Sequence, residues 1–430
     1  MKRIYAFDFA RGIAIIAVPI IHRIIWDYYC QNLTSLSNTG LGFTIFSILM
    51  GMAGIFYCIS GVVNGYMSYS RIKEGKITPK QLFLKGLATG VSFILIGLFF
   101  RYFLLRSMDD VVSVRPRLGI YMTENHTGVI PYLILYGRYP TNFEVGLLFQ
   151  VGTIQMIGYS IISVSIVLAL YYKRNNSENI RKLRIIFMIL GIIFFLIYAI
   201  INPLLSPIAQ TAIDERNYLI MFFLSPITEG LFPLIPHLAL GFFGAFFGVE
   251  LARDDFEPKK FAKQMRIFYL VTAISGLIFM VILGITVGTD IEILDAWYNR
   301  MARKLFQLGL YFALFLLLLE IFDFQPEEKR KKRMRFTNPV KEMGRMTLTI
   351  YMLEGVLAVS LQRLIAPFWP NWNATIGNAT LVGLINLAVW IGIVLIWRQF
   401  KYKGTLEHLS VALIKTFSGQ KSQKIEIENE

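Results

Sequence analysis

Three ionisable residues interrupt the apolar segment DFARGIAIIAVPIIH near the start of the chain: Asp8, Arg11 and His22. An α-helix turns about 100° per residue, so Arg11 and His22 share a face within roughly 20° and lie about 16 Å apart along the axis. Asp8 is close enough to pair with Arg11. Ionisable groups inside a membrane-spanning helix are costly and mark a path or a reaction centre. The alternative is that Asp8 and Arg11 only pair at the membrane interface and His22 only meets water at the other end.

The amino-acid composition predicts that this segment lies in a membrane protein. Of 430 residues, 55% are hydrophobic and 17% are charged, which excludes an ordinary soluble domain. Several apolar runs reach the roughly 20 residues that span a bilayer. The first run contains Arg11 and His22 and has no small-residue cleavage site, so it does not have the pattern of a cleavable signal. The predicted fold class is all-α, a polytopic helical membrane protein in the plasma membrane.

The apolar runs predict about ten membrane-spanning helices. The connections after the even-numbered helices are rich in lysine and arginine, and the most basic is KRKKRMR at 329–335. Basic connections stay on the cytoplasmic side, so both termini, Asp8 and Arg11 are predicted to be cytoplasmic and His22 external. The net charge of +15 therefore reflects membrane topology, and no nucleic acid partner is expected. The predicted spans are 5–28, 42–69, 82–106, 145–172, 183–205, 228–251, 267–288, 303–323, 344–366 and 375–398.

The second span carries a polar stripe beside small residues. Its glycines, Gly54, Gly61 and Gly65, favour close helix packing. Asn64 lies in the stripe and fits either an interhelical hydrogen bond or a ligand contact. The two cysteines, Cys30 and Cys58, lack metal-ligand spacing, so we expect packing residues and no metal site, with a disulfide as the alternative.

Two later helices carry further ionisable groups. Pro236 should kink the sixth span just before His237, which fits either a packing histidine or a catalyst. Glu354 lies in the middle of the ninth span and fits either a site residue or a structural hydrogen bond. Asn338 and Pro339 predict the start of that helix, where Arg345 is well placed to help hold an anion.

The connections outside the membrane include one long loop, 107–144, which mixes cations with tyrosines. Loops of this length are uncommon unless they are functional, so it fits either a polar acceptor site or a structured lid. The second outer segment, 202–236, is rich in proline and runs into the sixth span. The residues 416–430 are predicted to be a disordered cytoplasmic tail, and 1–415 a single transmembrane domain.

Four motifs resemble the transmembrane acyltransferase superfamily. The first motif opens the chain and reads R-x-x-x-x-D-x-x-R-G-x-A, with a histidine eleven residues after the second arginine. Its residues are Arg3, Asp8, Arg11, Gly12, Ala14 and His22. FPLIPHLALGFFGAFFG at 232–248 is similar to a segment of the heparan-alpha-glucosaminide N-acetyltransferase branch, where His237 replaces an aromatic residue. GRMTLTIYML at 344–353 and GTLEHLSVALIK at 404–415 resemble C-terminal motifs of related bacterial membrane proteins. Arginine, ten residues and histidine is also the motif of the bacterial membrane O-acyltransferase branch.

The resemblance implies transfer of an acetyl or other acyl group across the membrane. The donor would be cytoplasmic acetyl-coenzyme A, and the acceptor a hydroxyl or amine of a sugar-like or other polar molecule outside. Cations at the cytoplasmic mouth suit a nucleotide-phosphate donor, and an imidazole near the outside suits a general base. The catalytic candidates are His22, Glu354 and His237. The donor-binding candidates are Arg11, Asp8, Arg345, Arg71 and Asn64.

The favoured chemistry is direct attack of the acceptor on the donor with His22 as base, because no cysteine or serine has a nucleophile motif; a histidine-acyl intermediate is the alternative. A different class of function is a transporter or flippase of a polar lipid or small molecule, using the same residues as a proton or substrate path. The chain shows no convincing internal repeat of the kind that transporter halves often have. A sensor or assembly subunit is a third class, and homodimerisation stays open.

The topology yields a direct prediction. Tags inserted at positions 75, 177 and 330 should be accessible only from the cytoplasm, and tags at 35, 125 and 370 only from outside, because basic connections remain inside. Site-specific labelling of intact cells with an impermeant reagent measures this. External labelling at position 330 would contradict the ten-span topology.

Overall fold

The computed structural model describes residues 4–29, 53–105, 128–140, 148–174, 179–229, 232–286 and 297–418. These residues form α-helices joined by short connections, and strands are absent from the ranges described. The α-helices are α1 (Tyr5–His22), α2 (Gly54–Lys73), α3 (Pro79–Phe99), α4 (Val129–Tyr136), α5 (Thr153–Arg174), α6 (Ile180–Leu196), α7 (Tyr198–Asp214), α8 (Tyr218–Thr228), α9 (Leu234–Leu251), α10 (Pro258–Thr286), α11 (Trp297–Phe322), α12 (Glu327–Phe336), α13 (Asn338–Arg345), α14 (Thr347–Ile365), α15 (Ile376–Gln399) and α16 (Leu406–Ser418). Two π-helical segments, Arg23–Tyr29 and Phe100–Leu104, continue α1 and α3.

A helix occupies each of the ten predicted spans. In the part of the chain that the structure describes, seven helices are long and apolar enough to cross a membrane, and eight if the pair α6 and α7, bent by 43°, counts as one. The first two predicted spans hold α1 and α2, which are not among the seven, and 42–52 lies outside the described residues. The all-α polytopic membrane fold is confirmed, while the number of crossings and the side of each terminus stay predictions.

Several helix boundaries differ from the prediction. Helix α3 begins at Pro79 because Thr78 and Gln81 form a capping box that satisfies backbone groups at its start. The proline-rich segment 202–236, predicted to be an outer connection, is largely helical in α7 and α8. Helices in apolar surroundings tolerate proline where nearby side chains satisfy the freed backbone groups.

The predicted close packing of the α2 glycines is present: Gly61 and Gly65 lie against α9, and Gly54 lies against Tyr311 of α11. A Cβ atom at Gly61 would collide with the Gly241 backbone, and one at Gly65 would lie 2.8 Å from the Cα of Ala245. From the other side, Gly244 lies against the backbone of Cys58, which is a buried free cysteine. The two backbones therefore approach closely along this crossing. Cys30 lies outside the described residues.

Helix α1 is held at both ends by later parts of the chain. The Asp323 carboxylate, just after α11, accepts hydrogen bonds from the backbone of Tyr5 at 3.0 Å and Ala6 at 2.9 Å. These bonds satisfy backbone donors that a helix start leaves open. At the other end the Ile20 backbone packs against Gly383 of α15, where a Cβ would lie 2.9 Å from the Ile20 Cα. The rotation of α1, and so the direction of its polar face, is fixed by these contacts.

Candidate active site

A cavity of about 540 Å³ opens beside the first turns of α1. It is lined by side chains of α1, α2, α3, α5, α13, α14 and α16. The structure brings all five predicted donor-binding residues to it, and two further cations, Lys85 and Lys341, line it as well. Its volume is in the range typical of small-molecule sites. The predicted five are Asp8, Arg11, Asn64, Arg71 and Arg345.

The cavity carries an excess of positive charge. Five cations line it against two carboxylates, Asp8 and Glu407. Asp8 forms an ion pair with Arg11, whose side chain is still 44% exposed. No described carboxylate pairs with Arg71 or Lys85. This distribution suits an anion with more than one negative charge.

Arg345 is oriented by two neighbours. Its guanidinium lies 3.3 Å from Glu342 and 5.6 Å from the ring centroid of Tyr402. The Tyr402 hydroxyl donates to the same carboxylate of Glu342. Burial and this carboxylate raise the pKa of Tyr402 to about 12. The hydroxyl therefore keeps its proton at neutral pH and continues to hold Glu342 against Arg345.

The predicted anion site at the start of the ninth span differs in the structure. The helix begins after Thr337 without a side-chain cap from Asn338, and it breaks at Met346 into α13 and α14. The start of α14 is filled by the Glu407 carboxylate, which accepts from the backbone of Leu348 at 2.6 Å and Thr349 at 3.1 Å. A carboxylate is favourable at this position because the helix start carries unsatisfied N–H donors and partial positive charge. An anion in the cavity would thus be held by side chains around α13.

The cavity extends from the cationic mouth into an apolar interior. On α2 its wall runs from Arg71 to Phe56, fifteen residues that correspond to about 22 Å of helix. The interior is lined by Phe93 of α3, Ile157 of α5 and Tyr351 of α14, among others. An elongated ligand with a charged head and a less polar arm matches this shape.

Two predicted catalytic residues, His22 and Glu354, form one hydrogen-bonded pair. The Nδ1 atom of His22 lies 2.8 Å from Oε2 of Glu354, and the Asn386 amide donates to the other carboxylate oxygen at 3.3 Å. Glu354 is 3% exposed, while the His22 side chain is 28% exposed. A buried carboxylate that accepts a hydrogen bond from an imidazole fixes the orientation and the tautomer of the ring.

The π-helical segment that follows His22 holds the His22–Glu354 pair in position. Arg23 is fully buried, lies 2.9 Å from Asp27 and donates to the Ala358 carbonyl of α14 at 2.5 Å. Its guanidinium also lies 5.3 Å from the ring centroid of Trp372. These contacts tie the end of α1 to α14, one turn beyond Glu354. Sequence reasoning missed Arg23 and Asp27, although two opposite charges four residues apart in an apolar run are a visible signal.

The structure shows one of the two predicted roles of Asn64, the interhelical hydrogen bond. Its amide donates to the Ile161 carbonyl of α5 at 3.2 Å, and its carbonyl oxygen accepts from the Ser68 hydroxyl at 2.9 Å. Asn64 therefore joins α2 to α5 and also lines the cavity. The interhelical hydrogen bond is present, and contact with a ligand stays a prediction.

His237 is not brought to the pair. Its helix is kinked as predicted, since Ile235 has extended backbone angles directly before Pro236. The His237 ring is buried edge-on against Tyr57 and Phe232, and its Nδ1 atom lies 2.7 Å from the Pro233 carbonyl. These contacts describe a packing histidine. Its predicted role in catalysis has no support from them.

Part of the outer loop lies outside the described residues. Its segments 106–127 and 141–147 are not described, so the predicted acceptor site or lid cannot be located there. In the described segment, 128–140, α4 packs beside α14 through the Ile134 carbonyl, which accepts from Arg363 at 2.8 Å. The loop therefore meets the same helix that carries Glu354.

Two family models match parts of the chain. Residues 3–106 match the family model described as heparan-alpha-glucosaminide N-acetyltransferase, catalytic, and residues 251–414 match the one described as protein of unknown function (DUF418). No curated protein matches the chain. The two matches confirm the resemblance to the transmembrane acyltransferase superfamily that the motifs indicated. The first match indicates a membrane acyltransferase, and the chain is an integral multi-pass membrane protein.

The two matched regions contribute different parts of the site. The first contains α1 with Arg11 and His22, and the second contains Arg345, Glu354 and Glu407. Lys85 and Asn386 were missed from the sequence. Both are polar residues inside otherwise apolar helices, and this pattern could have identified them as candidates.

The carboxylate at the start of α14 can be tested through stability. Glu407→Ala removes the acceptor for two backbone donors and for the Thr349 hydroxyl, which lies 2.6 Å from Oε2. We expect the free energy of unfolding to fall by about 1–3 kcal/mol, measured by denaturant unfolding in detergent. Glu328→Ala, in the exposed first turn of α12, is the matched control and should have no measurable effect. If the two variants have the same free energy of unfolding, Glu407 does not stabilise the start of α14.

Proposed function

We propose that the chain transfers an acetyl group from cytoplasmic acetyl-coenzyme A to a hydroxyl or amine of a polar, sugar-like acceptor on the outer side of the plasma membrane. The observation that carries the proposal is that the His22–Glu354 pair lies next to the cation-lined cavity, about one helical turn beyond its lining residue Tyr351, although neither member of the pair lines the cavity. Tyr351 lines the cavity, and Glu354 follows it by three residues on α14, about one helical turn. A donor with its phosphates at the mouth would direct its thioester towards this pair.

The mouth supplies the groups that a coenzyme A phosphate needs. Arg11, Arg71 and Arg345 come from three different helices and face one cavity. Guanidinium groups form charge-assisted hydrogen bonds with phosphate, often two at once. Lys85 and Lys341 add positive potential at the same end. The apolar interior would then receive the acyl-bearing arm.

The pair supplies the groups that acyl transfer needs. With Nδ1 of His22 bound to Glu354, Nε2 is the basic atom of the imidazole. In the proposed step Nε2 takes the proton of the acceptor hydroxyl or amine as that atom attacks the thioester carbonyl. The carbon–sulfur bond breaks, and the proton passes from the imidazolium to the leaving coenzyme A thiolate. Glu354 stabilises the imidazolium between these steps.

The donor half of the proposal makes a binding prediction. Arg11→Ala should weaken coenzyme A binding about tenfold or more, because one charge-assisted contact contributes roughly 1.5–3 kcal/mol. Isothermal titration of the detergent-solubilised protein measures the affinity. Arg335→Ala, an exposed cation of α12 outside the cavity, is the control and should bind as the wild type does.

A second variant separates two roles for Arg11. If Arg11 acts only by holding Asp8, then Asp8→Ala should weaken coenzyme A binding to the same extent. If Arg11 contacts the donor, Asp8→Ala should leave binding unchanged or strengthen it, because a carboxylate has been removed from an anion site. Wild-type affinity in Arg11→Ala would contradict the proposed donor site.

The catalytic half makes a prediction about His22. His22→Ala and His22→Gln should keep coenzyme A binding but lower acetyl transfer by roughly 10²–10⁴-fold, because neither side chain can accept the proton. Radiolabelled acetyl transfer in inside-out vesicles measures the rate.

The glutamine variant distinguishes catalysis from structure. If His22 only packs and hydrogen-bonds with Glu354, then His22→Gln should be near wild type in activity, and His22→Ala should be thermally less stable. That outcome would remove His22 as the base. A chain that binds no coenzyme A and neither transfers nor slowly hydrolyses the acetyl group would favour the transporter alternative.

A further inference from the structure

A second cavity, separate from the site above, lies between the start of α6 and the start of α10. Its volume is about 370 Å³. It is lined by Asn179, Ile180, Arg181, Arg184, Arg253, Lys260 and Gln264. Four of these seven residues are cations, so the cavity is built for negative charge.

Two of the cations are fixed by a buried carboxylate below them. Glu250 is 5% exposed and lies 2.9 Å from Arg184 and 3.0 Å from Arg253. Arg184 also donates to the Gln264 amide oxygen at 3.1 Å and lies 4.7 Å from the ring centroid of Phe246. These contacts fix the positions of both guanidinium groups.

The other two cations face the opening. Arg181 and Lys260 are exposed, and no described carboxylate pairs with either of them. Among the described residues, the Asp255 carboxylate is bound to Arg253, and this hydrogen bond lowers the pKa of Asp255. The excess charge is concentrated on the open side of the cavity.

The surfaces beyond the cavity are apolar. One turn or more further along, α6 exposes Ile185 and Ile189, and α10 exposes Ile267 and Val271, each close to half exposed or more. Both helices belong to the apolar segments that are long enough to cross a membrane. The cavity therefore lies where the polar end of the bundle meets its lipid-facing sides.

We propose that this cavity binds the phosphate of an anionic phospholipid, with the acyl chains lying along the exposed faces of α6 and α10. Basic pockets between transmembrane helices bind lipid headgroups in this way. Inorganic phosphate carries the same kind of charge but has no acyl chains to contact the apolar faces of α6 and α10. The contact of Glu250 with both Arg184 and Arg253 would keep the headgroup site formed before the lipid arrives.

The test uses the full chain in detergent and native mass spectrometry with phosphatidylglycerol, phosphatidylcholine or inorganic phosphate as the probe. We expect phosphatidylglycerol to bind at least about tenfold tighter than phosphatidylcholine, and Arg181→Gln/Lys260→Gln to remove most of that difference. The matched control is Lys182→Gln/Lys259→Gln, which removes two exposed cations from the same helix starts without touching the cavity. It should keep the wild-type preference.

Three results would overturn the proposal. Equal weakening in both double variants would mean that lipid responds to general surface charge. Equal binding of the two lipids would mean that no anion is recognised. Displacement of phosphatidylglycerol by inorganic phosphate of equal or higher affinity would make a soluble phosphate the ligand.

Discussion

The backbone of α1 lies directly against that of α13, with no room for a side chain between Gly12 and Val340. Gly344 makes the same approach from the other side, where a Cβ would lie 2.8 Å from the Asp8 carbonyl oxygen. This contact brings Arg11 and Arg345, on two separate helices, to one cavity mouth. Glycines with small neighbours permit such backbone contact in apolar surroundings, where packing provides much of the association between helices. The cationic mouth depends on it.

The two ends of α1 meet different physical requirements. At the mouth, Arg11 keeps nearly half of its side chain exposed, so its charge is available without a large desolvation cost. At the other end, Glu354 is buried and is stabilised by an imidazole and an amide. A buried carboxylate without such partners would be strongly unfavourable. Helix α1 thus runs from a solvated group of charges at the cavity mouth to the largely buried His22–Glu354 pair.

Sequence reasoning could recognise much of the site but could not assemble it. Arg11, His22 and Glu354 were visible because ionisable residues stand out in apolar segments. Their grouping was not visible: 332 positions separate His22 from its hydrogen-bond partner, and helical periodicity describes only one helix at a time. The break at Met346 was missed for a similar reason, since the carboxylate that makes it favourable comes from α16. The helical positions were predictable because apolar run length reports membrane spans directly.

The distance along the chain between His22 and Glu354 has a consequence for biosynthesis. At about 5–20 residues per second, a ribosome completes Glu354 roughly 20–60 s after His22. During that interval α1 must reside in the insertion machinery or the bilayer without its eventual partner helix. Asp8 and Arg11 can neutralise each other within one turn, and Arg23 and Asp27 can do the same. The nascent first helix thus carries its own counter-ions. The His22 imidazole gains its hydrogen-bond partner only when the last third of the chain has been synthesised.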